Sequence, residues 1–99
     1  MNEQEQVNEG YVIIESVTVG NARFVIGENP NHQAAPYVTW QANVKNDPNN
    51  FFWGHYCATK LDAVADFAQR INAEAEYLRE RAKANTAPLQ ERKERGEER

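Results

Sequence analysis

The chain has 99 residues, of which 40% are hydrophobic, and it carries a formal net charge of −4 at neutral pH with a single cysteine. This length allows one small domain with a limited core. No run of about 18 apolar residues predicts a membrane span, and a lone cysteine excludes an internal disulfide framework. The charge is too close to neutral for the basic field of a duplex-binding domain or the dense acidity of a nucleic-acid mimic.

The two ends of the chain are more polar than its middle. Residues 1–9 are mostly Asn, Gln and Glu, and residues 85–99 hold Leu89 as their only large apolar residue. We expect a disordered N-terminal tail over 1–9, a single domain over 10–84 and a disordered charged tail over 85–99. The first residues lack a basic region followed by an apolar one, so no secretory signal is predicted. With the lone cysteine, this predicts a cytoplasmic protein.

Two segments rich in β-branched residues, separated by Gly20-Asn21, predict a hairpin of residues 11–19 and 22–26. Glycine accepts the positive φ of a two-residue turn. In that register Val19 faces Ala22, Val17 faces Phe24 and Glu15 faces Ile26. We expect the more apolar face, with Glu15 as its misfit, in the core: Tyr11, Ile13, Val17, Val19, Ala22, Phe24 and Ile26. The other face carries Val12, Ile14, Ser16, Thr18, Arg23 and Val25.

Two further strands are predicted after this hairpin, over residues 37–44 and 51–57, with a turn over 45–50 between them. Alternation in the first of them places Val38, Trp40, Ala42 and Val44 on the core face. In the second, FFWGHYC, we assign Phe52, Gly54 and Tyr56 to the core beneath a helix. Phe51, Trp53, His55 and Cys57 then point away from it.

One long helix is predicted after the strands, from an N-cap at Thr59, with Asp62 three residues on, to about Asn85. Its core stripe follows steps of three and four: Leu61, Val64, Phe67, Ala68, Ile71, Ala75, Leu78 and Ala82. Asp66 and Arg70 form an i,i+4 pair on its solvated side. The predicted fold is therefore α+β: a four-stranded antiparallel meander sheet with one C-terminal helix packed on one face, ββββα.

The aromatic segment at 51–57 also contains the side chains best suited to chemical reactions. His55 and Cys57 are two apart, so they share a strand face and could form a thiolate–imidazole pair. Catalysis also needs an orienting group, an oxyanion site and a cavity, and no such pattern is visible. An enzyme or ligand-binding protein is therefore the weakest interpretation. His32, His55 and Cys57 match no zinc spacing, so neither a metal nor another cofactor is predicted.

The strongest functional prediction concerns the sheet face that the helix leaves open. Mixed aromatic and polar surfaces are typical of interaction sites, and Trp, Tyr and Arg are common hot-spot residues. We expect a non-enzymatic module that binds a protein partner, or a second copy of itself, through this face. The predicted binding residues are Trp53, His55, Tyr37, Gln41, Arg23 and Thr39.

Two other interpretations of that face stay open. The aromatic side chains could lie over neighbouring strands as cross-strand pairs that shield the sheet. Alternatively, a nucleic-acid-associated regulator would stack bases on the same rings. Only Arg23 and Lys45 would accompany those rings, so nucleic acid is the less favoured partner.

Three segments carry a resemblance: YVTWQ at 37–41, FFWGHY at 51–56 and LDAVADFAQR at 61–70. Together they resemble a group of small uncharacterised proteins encoded on plasmids and conjugative transposons of Gram-positive gut bacteria. The resemblance covers about residues 11–80 and concerns packing residues, so it transfers no active site. It implies an intracellular accessory protein of unknown activity, one that could modify a host defence or a transfer machine. Small antirestriction and anti-CRISPR proteins come from the same genetic setting.

Overall fold

A computed structural model describes residues 6–86, with the side chains of residues 6–84. Five strands and one helix follow in chain order: β1 Val7–Asn8, β2 Tyr11–Val19, β3 Ala22–Glu28, β4 Tyr37–Asn43, β5 Asp47–Cys57 and α1 Lys60–Thr86. The strands form one antiparallel sheet in sequential order. The predicted α+β class, with an antiparallel meander and one C-terminal helix, is confirmed. The tail predictions for residues 1–5 and 87–99 lie outside the described residues.

The predicted strand count of four is wrong, because β1 adds a fifth strand inside the segment assigned to the N-terminal tail. Its residues pair with the start of β2, Val7 opposite Val12 and Asn8 opposite Tyr11. The amide of Ile13 also donates to the carbonyl of Gln6 at 2.8 Å. These are main-chain bonds, which the polar side chains around Val7 do not reveal.

The strand β5 begins at Asp47, so the predicted turn over 45–50 is too long. The turn itself covers residues 44–46. Pro48 lies within the strand, which the fold tolerates because β5 is at the edge of the sheet and a proline there need not donate to a neighbour.

The predicted hairpin register is confirmed from Val19 opposite Ala22 to Glu15 opposite Ile26. Beyond that point a bulge between Ile13 and Glu15 shifts the pairing, so that Ile13 faces Gly27. A one-residue shift turns every later side chain to the other face. The prediction that Tyr11 and Ile13 share the face of Val17 is therefore wrong.

The helix packs on the sheet face that carries Phe24, Ile26 and Thr39, which are at most 2% exposed. The opposite face is also buried, around the cluster of Tyr11, Val25, Val38 and Trp40. Ile13 and Phe51 pack against that cluster. The sheet therefore separates two apolar layers, and the expectation that Val25 lies on an open face is wrong.

The sheet is curled around this second layer. The side-chain amide of Gln6, next to β1, donates to Asn49 Oδ1 of β5 at 2.8 Å, so segments at opposite edges of the sheet are in contact. Arg23 lies beneath them and donates to Gln6 Oε1 at 3.0 Å and to the Pro48 carbonyl at 2.8 Å. The curl encloses the indole of Trp40, which stacks on Phe51 with ring centroids 5.7 Å apart.

The predicted N-cap is confirmed, because Thr59 Oγ1 accepts from the amide of Asp62 at 3.1 Å. The predicted core stripe is wrong at the start of the helix: Leu61 is 79% exposed and Val64 41%, whereas Ala63 is fully buried. Ala68 and Ala82 are exposed too, while Phe67, Ile71, Ala75 and Leu78 are half-buried. The buried face is rotated toward Asp66, which accepts a hydrogen bond from Thr39 of the sheet opposite it.

Within the described part of the chain, α1 is too polar to cross a bilayer, and no membrane-spanning helix is found.

Candidate functional site

Asp66 lies at the centre of a polar cluster between the helix and the sheet. Its carboxylate accepts from Thr39 Oγ1 of β4 and from Arg70 Nε, one turn along the helix, at 3.1 Å. His55 Nδ1 of β5 lies 2.9 Å from the same oxygen. Because a carboxylate only accepts, His55 donates from Nδ1. The cluster thus joins two neighbouring strands to the helix.

Burial would by itself raise the pKa of Asp66. The hydrogen bonds from Thr39, His55 and Arg70 outweigh it and hold that pKa below the usual carboxyl range. The side chain of Arg70 is 11% exposed and that of Asp66 25%. Asp66 is therefore a charged acceptor that holds its neighbours in place, and the prediction that this pair lies on the solvated side of the helix is wrong.

Arg70 extends the cluster to the edge strand by donating from its second terminal nitrogen to the main-chain carbonyl of Trp53. Trp53 has a φ of 58°, in the left-handed region that bulky residues rarely adopt. It lies in a bulge, because Phe52 pairs with Gln41 and His55 with Thr39, which leaves an extra residue on β5. The guanidinium of Arg70 thus holds the carbonyl of a residue with a strained backbone conformation.

The Trp53 side chain is 68% exposed and stands beside a groove of about 220 Å³. The ring of Phe52 packs on it edge to face, with centroids 4.9 Å apart. The remaining lining residues are three amides, two alanines and one carboxylate: Asn21, Gln41, Asn43, Ala22, Ala42 and Glu74. We call this the Trp53 groove.

The structure does not bring the predicted binding residues onto one open face. Trp53 and Gln41 line the groove, and His55 lies in the adjoining Asp66 cluster. Thr39 is fully buried beneath the helix. Thr39 and Gln41 lie on the helix side because they pair with Ile26 and Phe24. The bulge at Trp53 turns His55 toward the helix and Gly54 and Tyr56 toward Trp40. The assignment of Gly54 and Tyr56 to a core beneath the helix is therefore wrong, and so is that of His55 to an open face.

Tyr37 and Arg23 lie elsewhere. The hydroxyl of Tyr37 donates to Glu28 Oε2 at 3.1 Å, at the end of β4 that pairs with Cys57. Arg23 is on the sheet face away from the helix, where its guanidinium lies 5.3 Å from the centroid of Phe51. Both residues are engaged within the fold.

Cys57 and His55 share a strand face, as predicted, but their surroundings do not favour a nucleophile. The Cys57 Sγ lies 3.7 Å from the main-chain oxygen of His55. Burial, followed by the charges of Asp66 and Asp62, raises the pKa of the Cys57 thiol. A raised pKa keeps the thiol protonated at neutral pH, whereas attack requires the thiolate. Among the described residues, no cluster of three or more His, Cys, Asp or Glu side chains could hold a metal ion.

Several groove and cluster residues were missed from the sequence. The Asp66–Arg70 spacing was visible, and a charged pair in register with Phe67 and Ile71 was the available signal for a buried polar contact. Asn21, Asn43 and Glu74 meet only through the tertiary fold. No spacing in the sequence relates these three residues.

Comparison with models of protein families, with curated proteins and with solved structures found no match to this chain. Its function is therefore inferred from the chemistry of its own surface, and the resemblance to mobile-element proteins stays a prediction.

Proposed function

We propose that this protein is a non-enzymatic interaction module that binds a protein partner, or a second copy of itself, through the Trp53 groove. The observation that carries the proposal is the conformation of Trp53: a large aromatic side chain, 68% exposed, on a backbone with a φ of 58°. Tryptophan is enriched, with tyrosine and arginine, among the hot-spot residues of protein interfaces.

The backbone conformation at position 53 makes a bulky side chain there unusual. A non-glycine residue in the left-handed region costs on the order of 1–3 kcal/mol, and such residues cluster at functional positions. Glycine would fit the bulge without that penalty, and Gly54 is the next residue in the chain. The fold therefore sustains both an exposed indole and a strained backbone at one position, which a purely structural bulge does not require.

The shape of the edge strand favours contact through side chains. The bulge at Trp53 and the proline at position 48 both interrupt the free edge of β5. Such interruptions oppose the addition of a further strand. A partner would instead place an apolar side chain against Phe52 and Trp53 and hydrogen-bond with the amides of Gln41 and Asn43.

The lining of the groove disfavours the nucleic-acid alternative. None of its lining residues is Lys or Arg, and Glu74 contributes a carboxylate. The nearby Arg70 already donates to Asp66 and to the Trp53 carbonyl. Phosphate contacts need free cations, so a polypeptide fits this surface better.

The test is affinity capture of partners from cells of the native host, with the wild type, Trp53→Ala and Tyr77→Ala as baits. Tyr77 is the matched control because it is an exposed helix aromatic, 55% accessible, outside the groove. We expect the wild type and Tyr77→Ala to capture the same protein and Trp53→Ala to lose it. Sedimentation of the three purified proteins tests self-association: if the partner is a second copy, the wild type and Tyr77→Ala should associate and Trp53→Ala should not.

The captured protein is then titrated with each purified variant at two salt concentrations. The proposal requires Trp53→Ala to weaken binding at least tenfold with a modest salt dependence. Equal binding by wild type and Trp53→Ala would refute it. A nucleic acid as the captured species, with affinity that falls steeply as salt is added, would favour the alternative.

A further inference from the structure

A second cavity lies on the other side of the molecule from the Asp66 cluster, where the β1–β2 turn, the loop after β3 and the end of β5 meet. Its volume is about 460 Å³, within the range of small-molecule sites. The lining residues are Glu9, Tyr11, His32, Ala35 and Tyr56. None of them belongs to the Trp53 groove.

Aromatic rings form most of this cavity. Tyr11 is 3% exposed and lies at its base, fixed by donation from its hydroxyl to the carbonyl of Ala35 at 2.7 Å. The rings of Tyr56 and His32 lie 6.0 and 6.2 Å from that of Tyr11. Tyr56 is 54% exposed, so its ring is accessible to a ligand.

The imidazole of His32 is oriented by a main-chain hydrogen bond. Its Nδ1 accepts from the amide of Ala35 at 3.0 Å, so that nitrogen carries no proton.

Glu9 supplies the only carboxylate in the lining, and no lysine or arginine is among the lining residues. Glu9 and Gly10 form the two-residue turn between β1 and β2, with φ values of 53° and 85°. Asn, Asp and Gly are preferred in such turns, so a glutamate there is unusual. Among the described residues, Glu9 and Trp53 are the two non-glycine residues with positive φ, and each lines a cavity.

We propose that this cavity binds a quaternary ammonium cation against Tyr56, His32 and Glu9. Aromatic ring faces attract such cations through their quadrupole, and the carboxylate provides the opposite charge. A divalent metal is a poor fit because one carboxylate cannot supply its oxygen ligands. A primary ammonium, which is strongly hydrated, would require more hydrogen-bond acceptors than a mainly apolar lining offers.

The first test is titration of the full chain with choline and with 3,3-dimethyl-1-butanol, which replaces the charged nitrogen of choline by carbon. Heteronuclear NMR spectra report binding at each residue. We expect choline to shift the signals of Tyr56 and His32 and to bind about tenfold more tightly than its neutral analogue. Equal affinity for the two probes, or no binding of choline, would overturn the proposal.

Two variants locate the site. Glu9→Gln keeps the shape of the side chain and removes its charge, and Tyr56→Leu removes the accessible ring. Each should weaken choline binding about fivefold to tenfold. The control is Tyr77→Leu, since Tyr77 is as exposed as Tyr56 but lies on the helix. Unchanged choline binding in both site variants would refute this location.

A trimethyl-lysine peptide distinguishes a cation carried on a protein from a free small molecule. If the peptide competes with choline and binds more tightly, the natural ligand class is a methylated lysine; if only choline binds, it is a free quaternary amine. Failure of this site would leave the Trp53 groove untouched, because the two share no lining residue.

Discussion

Replacement of Asp66 by alanine tests the cluster that fixes the helix and the Trp53 backbone. The hydroxyl of Thr39 is fully buried and would lose its acceptor, which costs about 1–3 kcal/mol. The Arg70 side chain, 11% exposed, would keep its hydrogen bond to the Trp53 carbonyl but lose its ion pair with the Asp66 carboxylate. Because that pair is partly exposed, we expect its loss to cost about 1 kcal/mol of stability. Water would replace Asp66 at His55, whose side chain is 57% exposed.

We therefore expect Asp66→Ala to lower the free energy of unfolding by about 2–4 kcal/mol, a large fraction of the stability of a small domain. Asp66→Asn keeps an acceptor for Thr39 and should cost about half as much. The measurement is urea unfolding followed by far-UV circular dichroism and tryptophan fluorescence. The slope of the free energy of unfolding against urea concentration should be the same for each variant if only stability changes.

A matched control is Glu76→Ala, which removes an exposed helix carboxylate that pairs with Arg79 at 3.0 Å. A surface pair of this kind contributes about 0–1 kcal/mol. If Asp66→Ala costs no more than Glu76→Ala, the Asp66 cluster does not hold the helix to the sheet. A double-mutant cycle with Thr39→Val should then give a coupling near zero, whereas we expect about 1 kcal/mol or more.

Because hydrogen bonds depress the pKa of Asp66 in the folded state, its stabilising contribution is complete above the ordinary carboxyl value, about 4. That contribution should be lost as the pH falls through the lower folded-state pKa, and unfolding of Asp66→Asn should show a weaker acid dependence. Gly54→Ala would place a methyl group 2.7 Å from the buried Trp40 Nε1, so it should destabilise by about 1–3 kcal/mol; an unchanged urea midpoint would contradict this packing. Trp40→Ala should lower the free energy of unfolding by about 3–5 kcal/mol, because the indole is buried. Trp53→Gly relieves the positive φ, so its free energy of unfolding should stay within about 1 kcal/mol of the wild type, although it should no longer bind the partner. The opposite order of stabilities would show that the assigned register is wrong.

The sequence predicted the elements better than the faces. Alternation of β-branched residues and the Gly20-Asn21 turn were sufficient for the first hairpin, and its pairs from Val19–Ala22 to Glu15–Ile26 are confirmed. The Thr59 cap was equally local and is confirmed. Trp40 is buried as predicted, at 3% exposed. The prediction that it lies with Val38 and Ala42 on the face beneath the helix is wrong, because β4 pairs with β3 so that Trp40 lies opposite Val25 in the second layer.

The faces could not be predicted because register shifts interrupt the period of two, one in the β2–β3 pair and two in the β4–β5 pair, and because no local pattern fixes which face of β4 meets the helix. The bulge beside Ile14 moves Tyr11 and Ile13 to the layer of Trp40, and that at Trp53 turns His55 toward Asp66. A bulge is a feature of the backbone, and a sequence without glycine at that position gives no local signal for it. Glu15, the misfit of the predicted face, stays opposite Ile26 as predicted, so it gives no sign of the first bulge. At Trp53, the neighbouring Gly54 is the visible signal, but the prediction assigns that glycine to helix contact.

The bonds to Asp66 also have a consequence for the order of folding. Every strand pairs with its neighbour in the sequence, so the hairpins can form early from local contacts. The helix can gain its bonds to Thr39 and His55 only when those residues already sit opposite each other, and a slip of one residue would turn one of them away. Docking of the helix therefore selects, among the alternative pairings open to a strand with a bulge, the alignment in which Trp53 occupies the extra position.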